Sequence, residues 1–147
     1  DLAQLRRSWY SLFFQLPWLP EALLSRNDFA GLRKMLRASG HRDTFTDADE
    51  ERYVESWRRP GALTAMIHWY RAAARRAFTQ RPDTAPIEPP TLVIWGEQDV
   101  ALSAKMAQPS ADRCQNGHLA RIPDATHWVQ HDAPERVNNL LMHHFAG

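Results

Sequence analysis

The chain has 147 residues, of which 44% are hydrophobic and 24% are charged, and its formal net charge is only +1. This length fits one ordinary globular domain, and a nearly neutral chain has no strong field, so neither nucleic acid nor a membrane is expected as a partner. The single cysteine, Cys114, excludes an internal disulfide and fits a reducing compartment, which predicts a cytoplasmic protein.

The first predicted elements are helices. An apolar-rich helix is expected over 2–16, and Pro17 and Pro20 are expected to end it, because proline cannot continue a helix. A second helix is predicted over 27–38, with the asparagine and aspartate at its start as N-cap candidates. No apolar run is long enough to cross a bilayer, and no signal peptide is visible.

The stretch TDADEERYVESWRR, residues 46–59, is the clearest helix in the sequence. Thr46 is a suitable N-cap, acidic residues fill the first turn and two arginines fill the last, a pattern that complements the helix dipole at both ends. Pro60 fits the first turn of a further helix, which is predicted to run to about Phe78. Its apolar stripe consists of Leu63, Ile67, Tyr70, Ala74 and Phe78.

The apolar period changes after a proline-rich linker over 79–90. The run TLVIW is short, continuous and rich in β-branched residues, which predicts a strand buried on both faces of a parallel sheet. The predicted elements after the linker are a strand over 91–95, a helix over 102–114 that Pro109 disturbs, a strand over 118–122 and a helix over 134–145. The chain is therefore predicted to be of the α/β class, and since two strands do not form a stable sheet alone, the α/β portion looks like part of a larger fold.

Two polar side chains follow the ends of the two predicted strands. Asp99 lies just past the strand that ends at Gly96, and His127 lies a few residues past the next strand. In open α/β sheets ligands bind at the carboxyl ends of the strands. An aspartate and a histidine that meet there form an acid–base pair, in which the carboxylate fixes the imidazole tautomer and stabilises its protonated form.

These residues carry a resemblance to a known family. WGEQD followed by PDATHWVQHDAPERV resembles the acid and the base of the α/β-hydrolase fold. RRSWYSLFFQLPWLPE and LTAMIHWYRAAA resemble the two cap segments of bacterial epoxide hydrolases, whose tyrosines match Tyr10 and Tyr70 here. The resemblance covers the whole chain and implies an α/β-hydrolase fold fragment, with a helical cap or lid domain over 1–85 and the last two parallel strands with their helices over 86–147.

The resemblance also implies a reaction. Such enzymes open an epoxide with an aspartate nucleophile and form an alkyl-enzyme ester, while two phenols donate to the oxygen that leaves. By this resemblance Tyr10 and Tyr70 are the acids, Asp99 orients, His127 activates water, and neither a cofactor nor a metal is needed. The expected walls of a pocket for a small apolar substrate are Trp9, Phe14, Trp69 and Trp128.

The family's nucleophile is missing from this sequence. It sits on a G-x-D-x-G or G-x-S-x-G elbow, but no two glycines here are four residues apart, and Ser103, Ser110 and Cys114 lie in no such motif. The chain also starts at Asp1 rather than Met, so we expect it to be cut from a longer protein. Its expected partner is the N-terminal half of the hydrolase core or a second copy of the chain, and the chain alone is expected to be inactive.

Other interpretations of single residues are simpler. His127 and His131 are four apart and suit a metal on one helix face, but no glutamate follows His127 and no third ligand is obvious, so no metal site is expected. His143 and His144 complement the dipole of the last helix. Tyr70 without Tyr10 would be a core residue. A solvated helix face, rather than an anionic-substrate site, is expected for Arg71, Arg75 and Arg76.

Three rival functions stand beside epoxide hydrolysis. A dehalogenase of the same fold has a similar cap, although fluoroacetate dehalogenases have a histidine before the Trp-Tyr pair, where this chain has Ser8. A serine esterase is the next alternative. The third, of another class, is a non-catalytic fragment that needs a partner chain or dimerises through its exposed strand edge.

Overall fold

The computed structural model describes residues 10–79 and 85–146, apart from the side chain of Phe78. These residues fall into two compact units, of which the first comprises 10–38 and 45–79 and the second comprises 39–44 and 85–146. The segment 39–44 lies between two helices of the first unit in sequence, yet it belongs to the second unit. No helix among the described residues is both long and apolar enough to cross a membrane.

The first unit is helical. Its elements are α1 (Tyr10–Phe13), α2 (Leu19–Leu24), α3 (Arg26–Ala38), α4 (Asp47–Trp57) and α5 (Ala62–Thr79). The predicted cap of α4 is confirmed, because the Thr46 side chain accepts a hydrogen bond from the Asp49 amide and the Asp49 carboxylate accepts one from the Thr46 amide. The helix ends at Trp57, so Arg58 and Arg59, predicted for its last turn, lie just past its end.

Three helix boundaries differ from those predicted. Helix α1 ends at Phe13, before Pro17 is reached, and residues 2–9 of the predicted first helix lie outside the described residues. Pro20 does not stop a helix; it lies in the first turn of α2, where a missing N–H costs nothing. Pro60 precedes α5 by a turn that contains Gly61, whose φ of 78° suits glycine.

The start of α3 is distorted. Asn27, Asp28 and Phe29 have left-handed backbone angles, with φ of 50°, 52° and 60°. The first two are therefore not the ordinary N-caps that the sequence predicted, because an N-cap is usually extended. No glycine occupies any of these positions, so the local sequence carries no signal for the distortion.

The core of the first unit forms where the apolar stripe of α5 meets the other helices. Ile67 is 2% exposed and Leu63 is 9% exposed, which confirms the predicted buried face of α5. The Phe78 end of that stripe lies outside the described side chains. The other buried hydrophobic residues of the unit are Phe14, Phe29, Leu36, Phe45, Val54 and Trp57.

The second unit is α/β. Its elements are β1 (Thr91–Gly96), a 3₁₀ turn (Ala104–Met106), α6 (Ala107–Asp112), β2 (Gly117–Ile122), α7 (Val129–Asp132) and α8 (Pro134–Ala146). The two strands pair in parallel over their full length, which confirms the predicted strand–helix–strand–helix order. The short helix α7 was not predicted.

Two details of the second unit correct the prediction. Within the described residues the sheet has only two strands, and residues 91–95 of β1 are half-buried rather than buried on both faces. The predicted helix over 102–114 is shorter, and Pro109 does not disturb it, because this residue falls in the first turn of α6, where the backbone N–H has no helical partner to lose.

Candidate active site

Asp99 is held just beyond the end of β1 by its own loop. Its Oδ1 accepts hydrogen bonds from the backbone amides of Ala101, at 2.7 Å, and Leu102, at 2.8 Å. The side chain is only 7% exposed. The loop therefore fixes one carboxylate oxygen and leaves Oδ2 in a defined direction.

His127 forms a hydrogen bond with that second oxygen. Its Nδ1 lies 2.9 Å from Asp99 Oδ2, so the pair predicted from sequence comes together. Burial would raise the pKa of Asp99, but the hydrogen bonds from His127 and from the two loop amides outweigh it and lower the pKa. The hydrogen bond with Asp99 likewise raises the pKa of His127 despite its partial burial. With Nδ1 donating to the carboxylate, Nε2 is the nitrogen able to accept a proton.

A close backbone approach positions the loop that carries His127. A Cβ added to Gly96 would lie 2.0 Å from the Thr126 carbonyl oxygen and 2.6 Å from that of Ala125. Only glycine allows the end of β1 and this loop to come so near. The Gln98 amide also donates to the Ala125 carbonyl at 2.9 Å, and Ala125 itself is fully buried. The Asp99 and His127 loops are thus joined backbone to backbone.

Trp128 lies beside the imidazole. Its ring is edge-on to that of His127, with centroids 5.5 Å apart, and its Nε1 donates to Ser39 Oγ at 2.8 Å. The indole is therefore held both by a ring contact and by a hydrogen bond at its polar tip. Its role as a wall of a substrate pocket stays a prediction.

Tyr10 and Tyr70 come together within the first unit, from α1 and α5. Their ring centroids are 5.7 Å apart in an edge-to-face arrangement, and Phe14 packs against both rings. Burial is the main cause that raises the pKa of Tyr70, and a charge effect and a hydrogen bond with Tyr10 raise it further. A raised pKa keeps the Tyr70 phenol protonated, as a hydrogen-bond donor must be.

Arg71 is not the solvated residue that the sequence predicted. Its Nε donates to the Phe14 carbonyl at 2.8 Å, one terminal nitrogen donates to the Leu16 carbonyl at 2.6 Å, and the other pairs with Glu21 at 2.7 Å. Its side chain is 17% exposed. Arg71 thus ties the segment after Tyr10 to α5, whereas Arg75 and Arg76 are exposed as expected.

The remaining predicted residues have varied surroundings. Trp69 is 77% exposed on α5, and Trp9 lies outside the described residues. The ring of His131 packs on Trp128, and His143 Nδ1 donates to a carbonyl in its own helix. Across the described ranges, no cluster of three or more histidine, cysteine or acidic side chains is able to hold a metal ion.

Known proteins are similar to this chain over most of its length. No protein-family model matches the chain. It is 41% identical over 136 residues to the AB hydrolase superfamily protein YfhM of Bacillus subtilis, covering 92% of this chain and 47% of that protein. It is 35% identical over 146 residues to epoxide hydrolase 4 of Homo sapiens, covering 95% of this chain and 39% of the human protein. The chain thus spans less than half the length of these two relatives.

A solved structure has the same fold. A crystal structure of Bacillus megaterium epoxide hydrolase in complex with an inhibitor superposes with a TM-score of 0.81 at 25% identity, covering 99% of this chain and 53% of that one. The parallel strands, their helices and this match together define the chain as a C-terminal portion of the α/β-hydrolase fold. Its curated relatives over about 95% of the chain are epoxide hydrolases and AB hydrolase proteins, which confirms the resemblance predicted from the sequence.

Proposed function

We propose that this chain is part of an epoxide hydrolase that opens epoxides to vicinal diols through an alkyl-enzyme ester, with the nucleophilic carboxylate carried outside this chain. The observation that carries the proposal is the contact between Tyr10 and Tyr70, which brings two phenols from separate helices together. Two such donors suit a reaction whose leaving group is an alkoxide, and the relatives named epoxide hydrolases support the same choice.

The first chemical step uses the tyrosines. A carboxylate oxygen attacks one epoxide carbon, the bond from that carbon to the ring oxygen breaks, and the electron pair goes to the oxygen. Tyr10 and Tyr70 donate hydrogen bonds to that oxygen as its charge develops, and one of them transfers its proton. The raised pKa of Tyr70 keeps its proton in place until the stronger base, the alkoxide, appears.

The second step uses the pair in the second unit. His127 Nε2 takes a proton from water, the hydroxide adds to the ester carbonyl, and the intermediate collapses to release the diol and restore the carboxylate. The proton held by His127 then returns to the phenolate. Asp99 keeps the imidazole in the tautomer with Nε2 unprotonated and stabilises its charged form. The sum is one epoxide and one water giving one diol, with no cofactor.

The test compares hydrolysis of styrene oxide by this chain and by the longer protein of which we propose it is part. The chain alone is expected to be inactive. In the longer protein, Tyr70→Phe should lower kcat/KM roughly 10²-fold, the usual loss when one donor to a developing oxyanion is removed. Tyr53→Phe is the matched control, because Tyr53 is the third tyrosine of the chain and packs on Phe45 and Trp57.

The other outcomes separate the rival functions. Halide release from fluoroacetate without diol formation would favour a dehalogenase. Turnover of an aryl ester that Tyr70→Phe leaves unchanged would favour an esterase. Styrene oxide hydrolysis by the pure 147-residue chain, sensitive to Tyr70→Phe, would mean that the nucleophile lies within this sequence after all.

A further inference from the structure

The carboxylate of Asp132, which is not part of the Asp99–His127 pair, accepts hydrogen bonds from the residue before His127 and from Thr44. Asp132, at the end of α7, accepts hydrogen bonds from the Thr126 amide at 2.7 Å and from the Thr126 hydroxyl at 2.6 Å, through Oδ2. Its Oδ1 accepts from the Thr44 hydroxyl at 2.5 Å. Three donors therefore converge on one half-buried carboxylate, and two of them belong to the residue that directly precedes His127.

The segment 39–44 makes two further contacts with the same loop. Ser39 Oγ accepts from Trp128 Nε1 at 2.8 Å, and His41 Nε2 lies 2.8 Å from the Asp124 carbonyl oxygen. With the Thr44 bond, this short segment contacts the loop before His127, the residue after it, and Asp132. The segment carries its own turn, because the His41 amide donates to Thr44 Oγ1 at 2.7 Å.

We propose that Asp132 is a positioning residue for His127, and that the segment 39–44 acts with it by holding the loop on both sides of the imidazole. The role of His127 as the water-activating base rests on the proposed function; the positioning itself does not. The hydrogen bond from the Thr126 amide fixes the Ala125–Thr126 peptide plane, one residue before His127, and the Ser39 bond fixes the indole that follows His127. The imidazole thus meets Asp99 without having to be ordered at each turnover.

The carboxylate is suited to this task because it stays ionised. Burial would raise the pKa of Asp132, but the hydrogen bonds from Thr126 and Thr44 outweigh that effect and lower the pKa, to which His41 adds. An ionised acceptor makes stronger bonds to an amide and two hydroxyls than a neutral one does. The titratable groups around this loop are Asp99, Asp124, His41 and His131.

The test uses NMR on the ¹⁵N-labelled full chain and needs no substrate. In Asp132→Ala, hydrogen exchange of the Thr126 amide should be about tenfold faster or more, since its charged acceptor is gone. The pKa of His127, measured from its ring nitrogens, should fall toward its ordinary value of 6.5 as the bond with Asp99 loosens. Thr44→Val, which removes one hydroxyl at nearly constant volume, should change both quantities in the same direction but less.

Asp112→Ala is the matched control, because this exposed aspartate at the end of α6 accepts a side-chain hydrogen bond from Gln108, and the substitution should leave both quantities unchanged. A folded Asp132→Ala variant with the parent's Thr126 exchange and His127 pKa would overturn the proposal. Should that variant not fold, Thr44→Val and Thr126→Val decide the matter in the same way. If the NMR quantities change but the longer protein hydrolyses no epoxide, the positioning stands and the proposed function fails.

Discussion

The two candidate groups of side chains are held by different kinds of contact. In the second unit, Asp99 and His127 are fixed by directional hydrogen bonds to backbone amides and by a glycine that lets two backbone segments touch. In the first unit, Tyr10 and Tyr70 are fixed by ring packing on Phe14, and their common support is the guanidinium of Arg71.

This difference predicts which substitutions each pair tolerates. A hydrogen-bonded acid–base pair depends on atom identity, so a substitution that keeps the shape but exchanges an acceptor for a donor is expected to disable it. A packed aromatic pair depends on shape and on the segments that bring the rings together. Substitutions that separate these two requirements test the contrast.

The largest expected effect comes from Asp99→Asn. The amide can keep the bonds from Ala101 and Leu102 through its oxygen, but its NH₂ then faces His127 Nδ1 and forces the tautomer that carries the proton on Nε2. The imidazole can then no longer accept a proton from water. Turnover of the longer protein should fall by roughly 10³- to 10⁴-fold, measured with saturating epoxide. A smaller loss of turnover than the one that Tyr70→Phe causes under the same conditions would contradict the contrast.

The same substitution has a predicted pH signature. The pKa of His127 is raised above 6.5 by Asp99, so the ion pair stabilises the fold below pH 6.5, and this contribution disappears as the pH rises through the raised pKa. Activity needs the neutral ring and should therefore increase across that same range. In Asp99→Asn the pKa of His127, followed by NMR, should drop, whereas Tyr70→Phe should not change it.

The next effect concerns the glycine between the two loops. Gly96→Ala puts a Cβ against the backbone oxygens of Ala125 and Thr126, neither of which is at the end of a flexible side chain, so the loops must separate at a cost of about 3 kcal/mol or more in unfolding free energy. Urea denaturation measures this loss. The control is Gly31→Ala in α3, where the nearest neighbour of a Cβ is 4.0 Å away; it should stabilise by about 0.5–1 kcal/mol. Equal stability of the two variants would show that the approach at Gly96 is not constrained.

The two pairs could be predicted from the sequence, but the contacts that hold them in place could not. Asp99 and His127 could be predicted because each follows a short β-branched or apolar strand, and the ends of parallel strands lie at one edge of a sheet. Thr46 could be predicted because a capping box is a local pattern. Both signals span a few residues, which is the range over which sequence periodicity is informative.

The contacts that hold the two pairs join residues far apart in sequence, so no local sequence pattern predicts them. Asp132 reads as an ordinary acid before a helix-starting proline, and nothing local links it to Thr44. Arg71 lies beside an apolar stripe, where an arginine normally points to solvent. Only the tertiary structure brings its guanidinium to the Phe14 carbonyl, just after α1. The burial of β1 was overestimated because an apolar run predicts neighbours on both faces, whereas the described residues provide only one paired strand.

The smallest of the predicted losses concerns the support of the tyrosine pair. Arg71→Met keeps much of the stem's packing but removes the bonds to the Phe14 and Leu16 carbonyls and leaves Glu21 without its partner. Unfolding free energy should fall by about 2 kcal/mol, since hydrogen bonds to a charged group contribute more than neutral ones. Arg75→Met, on the exposed side of the same helix, is the control and should stay within about 0.5 kcal/mol of the parent.

Comparing the two arginine variants tests how the aromatic pair is held. If Arg71→Met also lowers the raised pKa of Tyr70, followed by its ultraviolet titration, then the guanidinium supports the burial of that ring as well as the fold. If Arg71→Met and Arg75→Met are equally stable, ring packing alone holds the tyrosines. In that case the contrast with the second unit becomes sharper, because one pair would rest on shape and the other on directional bonds.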